Sequence, residues 1–327
     1  MKLRLAALPI LAALAGAAPL GGQQQTVSVV PEEVPGTVLD YGEDGSDRMT
    51  VPVSIGGRGP YAFIVDTGAE RTSIAEELAQ DLKLGLGTRA RLHSMTEVSR
   101  IQTVLIPALE VGGRSIRGIN APALERRHIG AEGILGVDTL QTQRVSFDFA
   151  RRQMTISLSR KREEQWPDDT IVITAKNRRG RLVMVDASVD GQKVWVILDT
   201  GAETTVANSV LRRKLERRGK LLETWPIELQ SVTGGRMAAD QSMMRKIRLG
   251  GVDINNMPVA FADVHPFRKL GLMKRPALLL GMDALKLFER VSVDFPNRRV
   301  RLLPAGSAGR TGTRLARIQT PSCVVDA

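Results

Sequence analysis

The most constraining feature of this chain is that it repeats itself. Phe63-Ile64-Val65-Asp66-Thr67-Gly68-Ala69 returns as Val196-Ile197-Leu198-Asp199-Thr200-Gly201-Ala202, 133 positions later. Glu70 and Glu203 extend the match, and Thr72 and Thr205 follow two places on. Further blocks recur in the same order: 92–96 with 229–233, 109–113 with 247–251, 133–138 with 278–283, and 145–149 with 291–295. Matches in a common order mean a duplicated domain, in which each copy must fold alike.

The duplication sets the boundaries. The first unit covers 26–158 and the second 170–303, joined by a charged linker at 159–169. Residues 18–48 read as a lead-in segment and 304–327, rich in Gly, Ser, Thr and Arg, as a disordered tail. The chain of 327 residues is 43% hydrophobic and 25% charged, which excludes disordered, collagen-like and disulfide-scaffold classes. Residues 1–17 carry Lys2 and Arg4, an apolar run and the small residues Ala15-Gly16-Ala17, the layout of a cleaved signal peptide. Export to the periplasm or the extracellular space is the expectation. A single cysteine, Cys323, allows no internal disulfide, so the fold must rest on its core.

Within each unit the pattern is mostly strand. Residues 49–55 alternate, 56–60 turn, and 61–65 return as a hairpin; the second unit has 183–189, a turn at Asp190-Gly191, and 194–198. One helix per unit is expected after each Asp-Thr-Gly, over 74–84 and 206–218, with Gly85 and Gly219 as stops. The fold class is therefore mainly β.

Asp66 and Asp199 each end an apolar run. An acid there is costly unless it is paired, hydrogen-bonded or used. The glycine permits a tight turn, and the threonine offers a hydroxyl to a neighbouring loop. Two such acids suit peptide hydrolysis. One carboxylate takes a proton from water while a neutral partner hydrogen-bonds the scissile carbonyl, and carboxyls about 3 Å apart share one proton because both cannot ionise together.

With these motifs the chain resembles aspartic proteases of the retropepsin and pepsin superfamily, and in particular bacterial exported proteins with tandem retroviral-type protease domains. The resemblance spans both units. It implies two homologous β-barrel lobes related by a pseudo-twofold axis, with Asp66 and Asp199 catalytic at their interface. Thr67, Gly68, Ala69, Thr200, Gly201 and Ala202 would support the aspartates. Ile134-Leu135-Gly136 and Leu279-Leu280-Gly281 would pack behind them. Ser94, Met95 and Thr96, and Ser231, Val232, Thr233 and Gly234, fall where the family places substrate-covering flaps. The first flap departs from the pattern, having no glycine near its tip. Ala69 and Ala202 match the retroviral choice. A hydroxyl there would favour an ionised aspartate, so alanine implies an optimum nearer neutral than pepsin's.

The remaining features are bland. Asp138 and Asp283 are expected to bond backbone or cap short helices. His93, His128 and His265 are scattered, and no metal site or cofactor is expected. The formal charge of +11, or +9 without residues 1–17, invites a nucleic-acid reading. Aromatics are only 4%, however, and no reading motif accompanies the basic run 212–220, so nucleic acid is not an expected partner. A solvated helix face is the expectation for that run, with contact to an anionic envelope surface as its other use. The expected partner is a polypeptide substrate, bound by a monomer, and the expected activity is that of an aspartic endopeptidase. A catalytically silent peptide-binding module and an envelope-associated structural protein are the alternatives.

Overall fold

The computed structural model describes residues 37–44, 48–159, 166–178, 181–306 and 316–317. The signal-peptide reading and most of the lead-in and tail lie outside them. The chain is mainly β, as expected, and forms two half-barrel lobes joined by a shared sheet.

The shared sheet shows the duplication directly. Its six strands run in the order Thr37–Asp40, Gln153–Leu158, Gln143–Asp148, Phe288–Asp294, Arg299–Pro304 and Ile171–Thr174. The middle pair is antiparallel with Ser146 opposite Ser292, and their hydroxyls meet at 2.8 Å. Equivalent residues of the two repeats thus face one another, as a twofold relation requires. Val145, Phe147, Val291 and Val293 alternate with these serines and are buried.

In the N-lobe, strands Met49–Ile55 and Arg58–Val65 form the expected hairpin, and Met49–Ile55 also pairs with Thr103–Val111, curling the sheet on itself. The turn is shorter than the sequence suggested, because the second strand begins at Arg58 rather than 61. In both lobes the strand entering Asp-Thr-Gly pairs in parallel with the apolar strand that precedes the later glycine. Phe63–Val65 thus pairs with Gly133–Leu135, and Trp195–Leu198 with Ala277–Leu280. Ala277–Leu280 is buried along its whole length, which explains a continuous apolar run in place of alternation.

Three local expectations need correction. The segment 74–84 is not helical throughout: Ser73–Ala75 is a strand, and the helix is Glu76–Asp81. Ile74 pairs with Ala123 on one side and Gly133 on the other, and this distant pairing outweighs the four-residue spacing of Ile74, Leu78 and Leu82. Likewise Val206–Ala207 is a strand before the helix Ser209–Arg217. The first helix stops at Lys83, which takes a φ of 52°, rather than at Gly85; the second stops at Gly219 as expected, with a φ of 59°. The strand read over 183–189 is two strands, Arg181–Met184 on Trp195–Leu198 and Ala187–Val189 on Arg236–Leu249.

Within the stretch read as a tail, Ala316–Arg317 pairs with Ile254–Asn255. On the basic helix, Arg212 bridges both Glu216 and Asp240, while Arg213, Arg217 and Arg218 are exposed. Among the described residues no helix is long and apolar enough to cross a membrane.

Candidate active site

Asp66 and Asp199 line one cleft of about 460 Å³ between the lobes. Each follows three buried residues at the end of its strand, 63–65 or 196–198, and each backbone N–H is taken by the neighbouring apolar strand: Asp66 N donates to Leu135 O at 3.0 Å, and Asp199 N to Leu280 O at 3.1 Å. The segments 134–136 and 279–281 therefore lie directly beside the aspartates. Each carboxylate accepts from its own loop. Asp66 Oδ1 receives Gly68 N at 2.7 Å and Ala69 N at 2.9 Å, and Asp199 Oδ1 receives Gly201 N at 3.1 Å.

The two loops are interlocked. Thr67 Oγ1 donates to Leu198 O at 3.0 Å, and Thr200 Oγ1 donates to Val65 O at 2.6 Å. Reciprocally, Thr67 N donates to Thr200 Oγ1 at 3.0 Å and Thr200 N to Thr67 Oγ1 at 3.2 Å. The glycines complete the exchange. A Cβ on Gly68 would overlap the carboxyl of Asp199, and one on Gly201 would overlap that of Asp66. Each aspartate therefore packs on the opposite lobe's glycine, and only glycine leaves that room.

This crosswise pair of Asp-Thr-Gly loops coincides with a family match. A family model described as aspartyl protease matches residues 51–139 and again 185–284, more than half of the chain. The chain belongs to the aspartyl protease family. No curated protein matches it.

In this aspartyl protease family member a second layer braces each loop, through residues whose part the sequence reading did not see. Thr72 and Thr205 appeared there only as matched positions. Thr72 N and Oγ1 donate to Asp138 at 2.9 and 2.8 Å, and Gly136 N donates to Thr72 Oγ1 at 3.1 Å. The C-lobe repeats this: Thr205 N and Oγ1 donate to Asp283 at 2.8 and 2.6 Å, and Gly281 N to Thr205 Oγ1 at 3.1 Å. Asp138 and Asp283 do bond backbone, as expected, but chiefly the backbone of the aspartate loop. Burial pushes the Asp283 carboxyl up to about 6, against the lowering effect of the Thr205 and Ala284 donors. A Cβ at Gly136 would come within 2.5 Å of the Arg71 carbonyl carbon, so that glycine too is fixed by close approach.

Both flap segments form hairpins. The first joins Ala90–His93 to Val98–Ile101, and the second joins Thr224–Gln230 to Arg236–Leu249. The first turns without glycine. Ser94 N donates to Glu97 O at 3.0 Å, while Ser94 Oγ accepts from Glu97 N at 3.2 Å, so a hydroxyl does the work of a special backbone. Ser94, Met95, Ser231 and Val232 line the cleft. Thr96 and Thr233 instead join the tips: Thr96 Oγ1 reaches Ser231 Oγ at 3.1 Å and Thr233 Oγ1 donates to Glu97 Oε1 at 3.2 Å, while Gly234 packs on the ring of His128 in the helix Arg126–Ile129.

The histidines are not scattered in space. His93 Nδ1 lies 2.9 Å from His265 Nε2; His93 lines the cleft, as does Pro266 next to His265. Lys269 Nζ, from the same C-lobe helix as His265, pairs with Glu70 of the N-lobe at 2.5 Å. Among the described residues no group of His, Cys, Asp or Glu is placed to hold a metal ion.

Proposed function

We propose that the chain is an aspartic endopeptidase in which Asp66 and Asp199 activate one water between the lobes. The observation that carries this reading is the crosswise packing of each carboxyl on the other lobe's glycine, with Thr67 and Thr200 bonded across the same interface. Both carboxyls line the same cleft, which supports a shared role for them.

The chemistry follows from two carboxyls sharing one proton. The ionised carboxylate takes a proton from water as its oxygen attacks the peptide carbonyl carbon, and the protonated partner hydrogen-bonds and then protonates the carbonyl oxygen. The tetrahedral diol collapses as the protonated carboxyl gives its proton to the amide nitrogen, the other carboxylate takes a proton from a diol hydroxyl, and the C–N bond breaks; an amine and a carboxylic acid leave, and the pair again holds one proton. The substrate lies as an extended strand, held by its backbone and selected by side-chain pockets beneath the flaps. Because a single chain supplies both halves, the enzyme acts as a monomer. Residues 1–17 support export, so its substrates are polypeptides of the periplasm or the cell exterior.

A casein or peptide-library digest with wild type, Asp66→Asn and Asp199→Asn tests this. Cleavage by wild type alone is the expected result. Equal cleavage by all three would exclude these aspartates, and peptide binding without turnover by the wild type would favour the silent module.

A further inference from the structure

The two flaps are anchored differently. The second grows out of Arg236–Leu249, a strand of the eleven-stranded C-lobe sheet, whereas Ala90–His93 and Val98–Ile101 form a sheet of two strands only. An isolated two-stranded hairpin is marginal in water, so the position of the first flap depends on what grips it. Leu92 and Ile101 pack its base on the core and Thr96 and Glu97 bond the tip of the second flap, while a further grip on its turn comes from His265 of the opposite lobe. His265 N donates to Met95 O at 2.9 Å, and the His265 ring meets the His93 ring with Nε2 2.9 Å from Nδ1 and centroids 4.6 Å apart.

The platform behind His265 is rigid. His265–Lys269 is a short helix whose flanking Val264 and central Phe267 are fully buried. The loop after it is tied down by buried Asn208, whose Nδ2 donates to Leu272 O at 3.1 Å and Arg275 O at 2.7 Å.

We propose that His265 is the positioning residue of the first flap: with His93 it forms a latch that holds the flap across the cleft while at most one imidazole is charged, and releases it on acidification. The inference rests on reading the cleft as a substrate cleft roofed by two flaps. Two ring nitrogens at hydrogen-bond distance need one proton between them, and a proton on both leaves two donors facing each other. The surroundings sharpen this. Lys269 and Arg91 face His93 with positive charge and Glu70 with negative, while Glu97 at the tip is engaged by Thr233. Burial, then Lys269, hold the His93 imidazole below its ordinary range, with Glu70 opposing. The closed state therefore binds fewer protons than the open one, and closure weakens as pH falls through the imidazole range.

The test is amide hydrogen exchange of the full chain at pH 7 and pH 5, corrected for intrinsic rates, comparing residues 90–101 with residues 236–249 as an internal control. In the wild type, opening of 90–101 should rise on the order of tenfold at the lower pH while the control stays flat. His93→Gln and His265→Gln, which keep a neutral hydrogen-bonding group, should flatten that rise, and His265→Ala, which keeps only its backbone N–H to Met95 O, should exchange faster than wild type at pH 7 and show no further rise at pH 5. With a cleavable peptide at pH 7, His265→Ala should raise KM more than it lowers kcat. The same pH response in wild type and both glutamine variants, or unchanged protection of 90–101 in His265→Ala, would overturn the latch. If the wild type cleaves nothing yet shows this exchange pattern, the latch stands and only the peptidase reading fails.

Discussion

Thr67 and Thr200 each hold the other's strand: the Thr67 hydroxyl donates to Leu198 O at 3.0 Å and the Thr200 hydroxyl to Val65 O at 2.6 Å, while each hydroxyl also receives the other residue's backbone N–H. Both residues are buried, so no water can replace a lost partner. Thr200→Ala would strand the Val65 carbonyl and the Thr67 N–H. Urea denaturation should show a loss of about 2–4 kcal/mol for that variant, with Thr200→Ser recovering most of it. A Thr200→Ala protein as stable as wild type would mean the interlock adds nothing to folding.

Gly68 and Gly201 are the contact points between each loop and the opposite carboxyl. Adding a single methyl at either must displace an aspartate. Gly68→Ala and Gly201→Ala are expected to keep the far-UV circular dichroism of the wild type while kcat/KM for a peptide falls by about 10²-fold or more, the usual effect of a misplacement near 1 Å. Activity within a few-fold of wild type would show that the carboxyls tolerate more freedom than their packing suggests.

Ala69 N–H points at Asp66 Oδ1, so a side chain at 69 begins beside that carboxyl. Ala69→Ser places a hydroxyl there. One added hydrogen bond to the charged form should move the acid limb of the pH–rate profile down by about one unit. An unchanged limb would argue that residue 69 does not set the working pH.

Asp283 makes the opposite kind of prediction from a paired surface acid. Its carboxyl is pushed from 3.8 up to about 6 by burial, so the folded protein holds this proton more tightly than the unfolded chain. Stability from this group is present at pH 4 and lost as pH rises through 6, a change on the order of 3 kcal/mol for a shift of this size. Asp283→Asn cannot lose a proton. Unfolding free energies at pH 4 and pH 7 should therefore differ less in the variant than in the wild type. Parallel pH dependence in the two would place the effect elsewhere.

Much of the site is legible in the sequence because its chemistry demands residue types in unbroken order. An apolar strand, an acid, a hydroxyl and a glycine must be adjacent for the loop to work, and the repeat displays the set twice. The apolar-apolar-Gly segments are legible for the same reason, since Leu135 and Leu280 must offer a carbonyl to the aspartate beside them. Ile74 carries a helical spacing to Leu78 and Leu82, a local signal, whereas its strand partners Ala123 and Gly133 lie 49 and 59 residues further on. The first flap lacked its expected glycine because Ser94 closes the turn with a side chain. The histidine pair is not legible in the sequence because His93 and His265 are 172 positions apart, and nothing in either neighbourhood points to the other.

By itself the sequence determined a duplicated, mainly β chain carrying two matched Asp-Thr-Gly loops, because hydrophobic alternation, turn chemistry and an unbroken motif are properties of neighbours along the chain. Only the tertiary structure decided that each aspartate packs on the other lobe's glycine, that Thr72 and Thr205 brace the loops through Asp138 and Asp283, and that the segment 90–101 meets a histidine of the opposite lobe. Those contacts join residues far apart in the chain at hydrogen-bond distance. Such distances are set by how the two lobes close on their shared sheet, which no local pattern encodes.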